Sequence, residues 1–180
     1  MQLKTLKPAE VNDKNFIIRV DYNVPVKDGK VQDEKRIDIS LETIEFLLKN
    51  GAKKIFLMSH LGRPEKKATN EETAKTNSKL SLKVVAPLLE KKRNQKVAFE
   101  TEVVLTGKLS EQTSSSSEKI VLLENLRFNK GEKKNDKHFA RQLASLADIN
   151  INDAFSSSHR DHVSISAIAD LLPSSTGYAL

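Results

Sequence analysis

The sequence predicts an α/β fold in which a parallel sheet carries helices on both faces, giving three layers (αβα) in a single lobe. The predicted strands are apolar at nearly every position, as expected of a sheet buried on both faces. Helical segments of about ten residues alternate with these strands, which is the pattern of βαβ units. The length of 180 residues suits about one domain.

Local patterns predict the first strand, turn and helix. Residues 15–21 (NFIIRVD) are rich in β-branched side chains and form the first strand. Residues 27–30 (KDGK) have turn composition. Ser40 is the expected N-cap of a helix from Leu41 to about Asn50, and Gly51 follows where a terminating glycine belongs.

The next elements are a strand, a loop and a helix. Residues 54–59 form a second apolar strand, and the polar residues 65–79 form a loop. Ser81 is expected to cap a helix that runs through Glu90, with a kink at Pro87.

The second half of the chain continues the alternation. Residues 96–99, 119–124 and 149–153 are predicted strands. One helix starts at Asp136, and another covers residues 164–172 and ends at Pro173. The serine-rich part of residues 100–118 has the composition of a turn or linker.

Composition limits the classes of site and partner. The chain has no cysteine, which excludes disulfides, thiolate metal ligands and cysteine nucleophiles. No apolar run approaches the roughly 20 residues of a membrane span, and the N-terminus lacks the apolar stretch of a signal peptide. We therefore expect a cytoplasmic protein with no membrane partner. The net charge of +6 favours anionic partners.

Polar and cationic side chains follow four of the predicted strands. The carboxyl ends of parallel strands share one edge of a sheet, where ligands bind in open α/β folds. Guanidinium groups gathered there would repel one another, since two unit charges about 4 Å apart interact by roughly 4 kcal/mol at an effective dielectric constant of about 20. A phosphorylated ligand would remove this repulsion. The residues concerned are Asp21, Asn23, His60, Arg63, Arg127, His159 and Arg160.

Each of these motifs also has a purely structural interpretation. Arg36, ahead of the first predicted helix, and Arg63 could be surface cations, and Arg127 could pair with a nearby glutamate. Asp21 and Asn23 could serve turn formation.

Two classes of site find no support. The HRDH stretch at residues 159–162 has no third metal ligand in register, so we expect no metal site. The six glycines form neither GxGxxG nor GxxxxGK[ST], so we expect no nucleotide site in this chain.

Four motifs, in order and at similar spacing, resemble those of the phosphoglycerate kinase family. They are RVDYNVP (19–25), SHLGRP (59–64), LLENLRF (122–128) and NDAF (152–155) followed by SHR (158–160). The resemblance is weakest at residues 100–118. Family members have two Rossmann-like lobes: the N-terminal lobe binds 3-phosphoglycerate and the C-terminal lobe binds Mg-ADP or Mg-ATP. The resemblance implies that residues 1–172 are the N-terminal lobe, that residues 173–180 start the inter-lobe connection, and that the nucleotide lobe is absent.

The resemblance also implies roles for the site residues. Asp21 and Asn23 would contact the glycerate end of the substrate. Arg36 would bind its carboxylate side and stabilise the transferring phosphoryl group. The basic patch on the 3-phosphate would consist of His60, Arg63, Arg127 and Arg160, with His159 nearby. The parent glycolytic enzyme exchanges phosphoryl between 1,3-bisphosphoglycerate and ADP, whereas this lobe alone would bind 3-phosphoglycerate, hold no cofactor and show no turnover.

One loop departs from the family pattern and leaves alternatives open. Ser156, Ser157 and Ser158 stand where the family usually has glycine and threonine, and serine tolerates positive φ poorly. The placement of His159 and Arg160 depends on this loop. A catalytically inactive relative is one alternative to a truncated or split enzyme. Another is a non-catalytic basic module for anions or nucleic acid, although an aromatic content of 5% provides few surfaces for base stacking.

Overall fold

The structure, a computed structural model, describes residues 6–64 and 78–179. Its strands are β1 (Asn15–Val20), β2 (Val26–Lys27), β3 (Lys30–Val31), β4 (Lys54–Met58), β5 (Val97–Glu100), β6 (Ile120–Leu123), β7 (Ile149–Asp153) and β8 (Ser174–Thr176). Its α-helices are α1 (Lys35–Lys49), α2 (Ala86–Arg93), α3 (Glu102–Leu105), α4 (Glu111–Ser115) and α5 (Lys137–Ala144).

Within these ranges, six strands form one sheet in the order β5-β6-β4-β1-β7-β8, and every neighbouring pair is parallel. The five predicted strands agree with the observed ones to within one residue at each end, and β8 was not predicted. The predicted turn at residues 27–30 is also confirmed. It joins the antiparallel pair β2–β3 through Asp28 (φ 49°) and Gly29 (φ 70°), the two positive φ angles that a tight hairpin requires.

Both faces of the sheet are buried, as the apolar strands predict. Alternate residues of a strand point to opposite faces. Phe16 and Ile18 of β1 pack in a cluster with the apolar faces of α1 and α2, whereas Ile17 packs with Met58 and α5 on the other side. The predicted three-layer αβα arrangement is therefore confirmed.

Helix α1 begins earlier than predicted. Ser40 lies inside the helix, where its hydroxyl donates to the Ile37 carbonyl oxygen at 2.8 Å and meets the Tyr22 hydroxyl at 2.7 Å. The Asp33 carboxylate accepts the Lys35 N–H at 2.9 Å and stabilises the helix start instead. The helix ends within one residue of the predicted position, with Asn50 as its C-cap and Gly51 at φ 85° next in the chain. The early start places Arg36 in the first turn.

Two other helix predictions need correction. Ser81 does act as a cap, accepting the Lys83 N–H, but of a short 3₁₀ helix, Leu82–Val84. Pro87 then lies in the first turn of α2, where its missing N–H breaks no helical bond, so no kink is needed. The predicted loop at residues 65–79 lies almost wholly outside the described residues.

Residues 164–172 form successive turns rather than a helix. The Ile165 N–H donates to the His162 carbonyl three residues back, whereas the Ile168 N–H donates to the Val163 carbonyl five residues back. The Ser164 N–H is held instead by the Glu132 carboxylate, so tertiary bonds override the local helical pattern. In the described residues no helix is both long and apolar enough to cross a membrane.

Candidate anion-binding site

The loops that carry the predicted site residues lie side by side. They follow β6, β4, β1 and β7, which are consecutive in the sheet and all end at the same edge. The sheet thus brings Arg127, the pair His60 and Arg63, the pair Asp21 and Asn23, and the pair His159 and Arg160 to one edge. The predicted convergence on one edge is confirmed, whereas the ligand-binding roles are not tested by it.

Asp21 forms an ion pair with Arg36, which extends from the first turn of α1. The Ser156 hydroxyl donates to the same carboxylate oxygen of Asp21 at 2.5 Å. Burial raises the pKa of Asp21, but the hydrogen bonds from Ser156 and Arg36 outweigh burial and hold that pKa below its ordinary value. Asp21 is therefore ionised at neutral pH and links three segments of the edge.

Gly62 connects Asn23 with Arg127. Its N–H donates to the Asn23 side-chain oxygen at 2.9 Å, and its carbonyl accepts from Arg127 Nη1 at 2.5 Å. Gly62 has φ 61°, a left-handed conformation that glycine adopts without strain. Arg63 follows directly on this fixed turn. The sequence-based alternative in which Arg127 pairs with a glutamate is not seen among the described ion pairs.

Asn125 is a buried organising residue that the sequence analysis did not single out. Its amide nitrogen donates to the carbonyl oxygens of Leu61 at 2.7 Å and Leu80 at 2.9 Å. Its side-chain oxygen caps the short helix at Leu126–Phe128 by accepting the Arg127 N–H at 3.1 Å. The turn bearing Arg127 and the loop bearing Arg63 are therefore fixed relative to each other.

Arg63, Arg127 and Arg160 lie at the outer part of the edge. Burial lowers the pKa of Arg127, and the positive charges of Arg160, of the buried Arg19 and of Arg63 lower it further. The negative charge of Glu132 acts in the opposite direction. Arg63 and Arg160 are exposed. The Nε atom of Arg127 is buried without a hydrogen-bond partner among the described residues. This mutual repulsion among cations is a feature expected of an anion site.

The serine-rich loop is accommodated without backbone strain. Phe155–Ser157 form a 3₁₀ turn and Ser158 has φ −62°, so none of the three serines needs the positive φ that glycine favours. The loop places Arg160 near Arg127 and leaves His159 exposed. Our expectation of no metal site stays a prediction, and the described residues contain no group of three or more potential ligands.

The sequence did not reveal a layer of buried charged residues, Arg19 and Glu132, beneath this edge. Arg19 is 1% exposed and points to the α5 side of the sheet, where Ser164 accepts from its Nε atom at 2.9 Å. Ser164 in turn donates to the buried carboxylate of Glu132 at 2.6 Å. One signal could have revealed it: an arginine within a strand that is apolar on both faces has to be buried and needs partners.

Comparison with known proteins identifies the family. The phosphoglycerate kinase family model matches residues 6–180. The chain belongs to the phosphoglycerate kinase family. A phosphoglycerate kinase from Wolbachia sp. subsp. Drosophila simulans (strain wRi) is 44% identical over 180 residues, which make up 100% of this chain and 43% of that protein.

Solved phosphoglycerate kinase structures share the fold. The enzyme from Coxiella burnetii superposes with a TM-score of 0.73 at 33% identity, covering 92% of this chain and 39% of its own. The enzyme from Pyrococcus horikoshii OT3 gives a TM-score of 0.74 at 25% identity, with 94% of this chain and 41% of its own covered. This chain therefore corresponds to less than half the length of the phosphoglycerate kinases that it matches.

Proposed function

We propose that this chain is the acceptor-binding lobe of a phosphoglycerate kinase and binds 3-phosphoglycerate at the shared edge of β6, β4, β1 and β7. The lobe would comprise residues 1–172 together with the edge strand β8 (Ser174–Thr176), and the residues after β8, within the predicted 173–180 segment, would begin its connection to a nucleotide-binding lobe. One observation carries the proposal: arginines from separate loops meet at one edge of the sheet, and most of them form no ion pair with a carboxylate among the described residues.

The charge balance supports a phosphate ligand. None of Arg63, Arg127 and Arg160 forms an ion pair with a carboxylate in the part of the chain that the structure describes. The Nε atom of Arg127 is buried and has no hydrogen-bond partner among the described residues. A doubly charged phosphate would supply acceptors for these donors and remove the repulsion between them. We assign the 3-phosphate to these arginines together with His60, with His159 beside them.

The opposite end of the substrate is assigned to the loop after β1. Asp21 accepts from Arg36 and Ser156, and Asn23 is fixed by Gly62. Arg36 remains 44% exposed, so its remaining N–H donors are free to meet a substrate carboxylate. In the complete enzyme the same guanidinium would compensate charge on the transferring phosphoryl group, a role that typically contributes 10²- to 10³-fold in rate.

Turnover requires a phosphoryl donor as well. Phosphoryl transfer depends mainly on in-line positioning and charge compensation, and kinases of this family use an Mg-nucleotide as donor. We propose that this chain alone performs no transfer between 1,3-bisphosphoglycerate and ADP, because the nucleotide would be held by the second lobe. The parent glycolytic reaction would place the protein in the cytoplasm.

A titration tests the binding proposal. Amide shifts of the ¹⁵N-labelled chain are followed while 3-phosphoglycerate is added to millimolar concentration. We expect the largest changes at Gly62, Asn125 and Arg127, because their N–H groups lie in or beside the proposed phosphate site. Glycerate, which lacks the phosphate, serves as the ligand control and should produce much smaller changes at these three residues.

Matched charge variants sharpen the titration. Arg63→Ala should weaken 3-phosphoglycerate binding about tenfold or more, since it removes a charge-assisted contact. Arg141→Ala removes the same charge from the exposed surface of α5 and should leave the affinity unchanged. Equal effects of the two variants, or no shift at the site at millimolar ligand, would refute the proposal.

A further inference from the structure

A chain of buried hydrogen bonds runs beneath the site from Glu132 through Ser164 and Arg19 to His60. Ser164 Oγ lies 2.6 Å from Glu132 Oε1 and 2.9 Å from Arg19 Nε. Arg19 Nη2 lies 2.8 Å from His60 Nδ1. All four residues are buried, and His60, the most accessible of them, is only 6% exposed.

The direction of these bonds follows from the donors available. A guanidinium group carries only donors and stays protonated in proteins. His60 Nδ1 must therefore accept from Arg19 and cannot carry a proton itself. A neutral imidazole with a bare Nδ1 has its proton on Nε2. Two further Arg19 donors, both on Nη1, go to the Val20 carbonyl at 2.5 Å and the Ser59 hydroxyl at 3.2 Å, so the guanidinium is fixed on several sides.

We propose that Arg19 is a positioning residue that holds His60 as the neutral tautomer protonated at Nε2. The Nε2–H group is then a fixed donor for a phosphate ligand, whose identity as 3-phosphoglycerate rests on the function proposed above. In this arrangement Arg19 never touches the ligand. It acts through His60.

The charges around His60 favour the neutral form. The groups that face it are Arg19 and Asp21 from the end of β1, Arg127 from the turn after β6 and Arg160 from the loop after β7. Burial and the three arginines lower the pKa of His60 to about 3, and Asp21 acts in the opposite direction. His60 thus donates without titrating near neutral pH, and the site's positive charge is left to the arginines.

Glu132 supplies the negative charge that lets Arg19 stay buried. Burial lowers the pKa of Arg19, and the opposing attraction comes first from Glu132 and then from Asp21. Ser164 links the two groups by accepting from Arg19 and donating to Glu132. Arg19 donates to Ser164 through Nε and to His60 through Nη2. Because Arg19 can only donate, His60 Nδ1 must accept.

The decisive measurement is made on the unaltered chain without ligand. Long-range ¹H–¹⁵N correlation spectra of His60 between about pH 4.5 and pH 8 report which ring nitrogen carries the proton. We expect a protonated Nε2, a bare Nδ1 and no titration in this range. A proton on Nδ1, or a midpoint near the ordinary histidine pKa of about 6.5, would overturn the proposal. Because no ligand is present, this outcome is independent of 3-phosphoglycerate binding.

Two variants separate positioning from a merely structural role. Arg19→Lys keeps a donor for Nδ1 and should preserve the Nε2–H spectrum. Arg19→Met removes that donor, so His60 should titrate at higher pH and 3-phosphoglycerate should bind about tenfold more weakly than to the unaltered chain at pH 7.5. The deficit should narrow below pH 6, when His60 becomes protonated. An affinity deficit that is the same at every pH, together with an unchanged His60 spectrum, would refute the positioning role. If Arg19→Met does not fold, the spectra of the unaltered chain and of Arg19→Lys decide.

Discussion

The loop after β4 and the loop after β7 each bring a histidine and an arginine to the same edge, but they are held differently. Bonds to other elements fix the first loop: the Ser59 carbonyl accepts from Leu126, and Gly62 bonds to Asn23 and Arg127. The second loop is held largely by its own backbone, as in the bond from the Ser157 N–H to the Ala154 carbonyl.

The two histidines follow the same division. His60 is 6% exposed, whereas His159 of the second loop lies exposed at the surface. A loop fixed from outside has its ligand-binding geometry set before the ligand arrives, which reduces the entropy lost on binding. We infer that the first loop provides the preformed half of the proposed phosphate site and that the second loop adjusts to the ligand.

The largest expected effect comes from removing the buried support of the first loop. Arg19→Met removes the principal counter-charge of the buried Glu132 and should lower the free energy of unfolding by about 3–5 kcal/mol at pH 7. Burial already raises the pKa of Glu132, and losing Arg19 removes an attraction that opposes this rise. The deficit should therefore grow as pH rises and shrink as pH falls and the carboxyl becomes protonated. Urea unfolding at pH 5 and pH 7 measures both effects.

Arg160→Met is the matched control in the second loop. This arginine is exposed, so its replacement should change the free energy of unfolding by no more than about 0.5 kcal/mol. Comparable losses in the two variants would remove the distinction between the loops.

A smaller effect is expected from Gly62→Ala. The φ of 61° is strained for alanine, and the new Cβ would lie 2.6 Å from a Leu80 methyl carbon. Gly29→Ala imposes a similar φ penalty, since φ is 70°, but its Cβ would meet nothing within 4 Å. Backbone strain should lower the free energy of unfolding of both variants by about 1 kcal/mol. The contact with Leu80 should lower that of Gly62→Ala further.

Binding distinguishes the two glycines further. Gly62→Ala should also weaken 3-phosphoglycerate binding, because it shifts the turn that fixes Arg63 and Arg127. Gly29→Ala lies in the β2–β3 hairpin and should not affect binding. Thermal unfolding together with the amide titration measures both consequences, and equal stability losses would show that Leu80 moves aside at no cost.

The sequence predicted what depends on local pattern. Strands apolar on both faces defined a doubly covered parallel sheet, and the positions of Arg63 and Arg127 just after strands predicted their shared edge. The sequence did not predict which residues, distant in the chain, would become partners in the fold. Nothing near Arg19 in the chain shows that its counter-charge is Glu132, and nothing near Ser164 shows that its N–H is taken by that same glutamate. The final helix was predicted wrongly for this reason.

The smallest effect concerns the hydrogen bond that ties the second loop to the rest of the site. Ser156→Ala removes one of the donors that favour the ionised Asp21 carboxylate, so the pKa of Asp21 should rise towards its ordinary value. The ionised Asp21 carboxylate stabilises the fold at any pH above the ordinary pKa of a carboxyl group. That stability is lost as the pH falls through the lowered pKa of Asp21. In the variant this loss should begin at higher pH, with a cost below about 1 kcal/mol at pH 7.

Ser158→Ala is the control for that bond within the same loop. Its hydroxyl donates to the Ala154 carbonyl at 3.0 Å, inside the loop, so the titration of Asp21 should not change. A ¹³C titration of the Asp21 carboxyl compares the two variants directly. If Ser156→Ala also leaves the Asp21 midpoint unchanged, the second loop is not coupled to the carboxylate. Ser156 and Ser158 would then have no electrostatic influence on the Asp21–Arg36 end of the site.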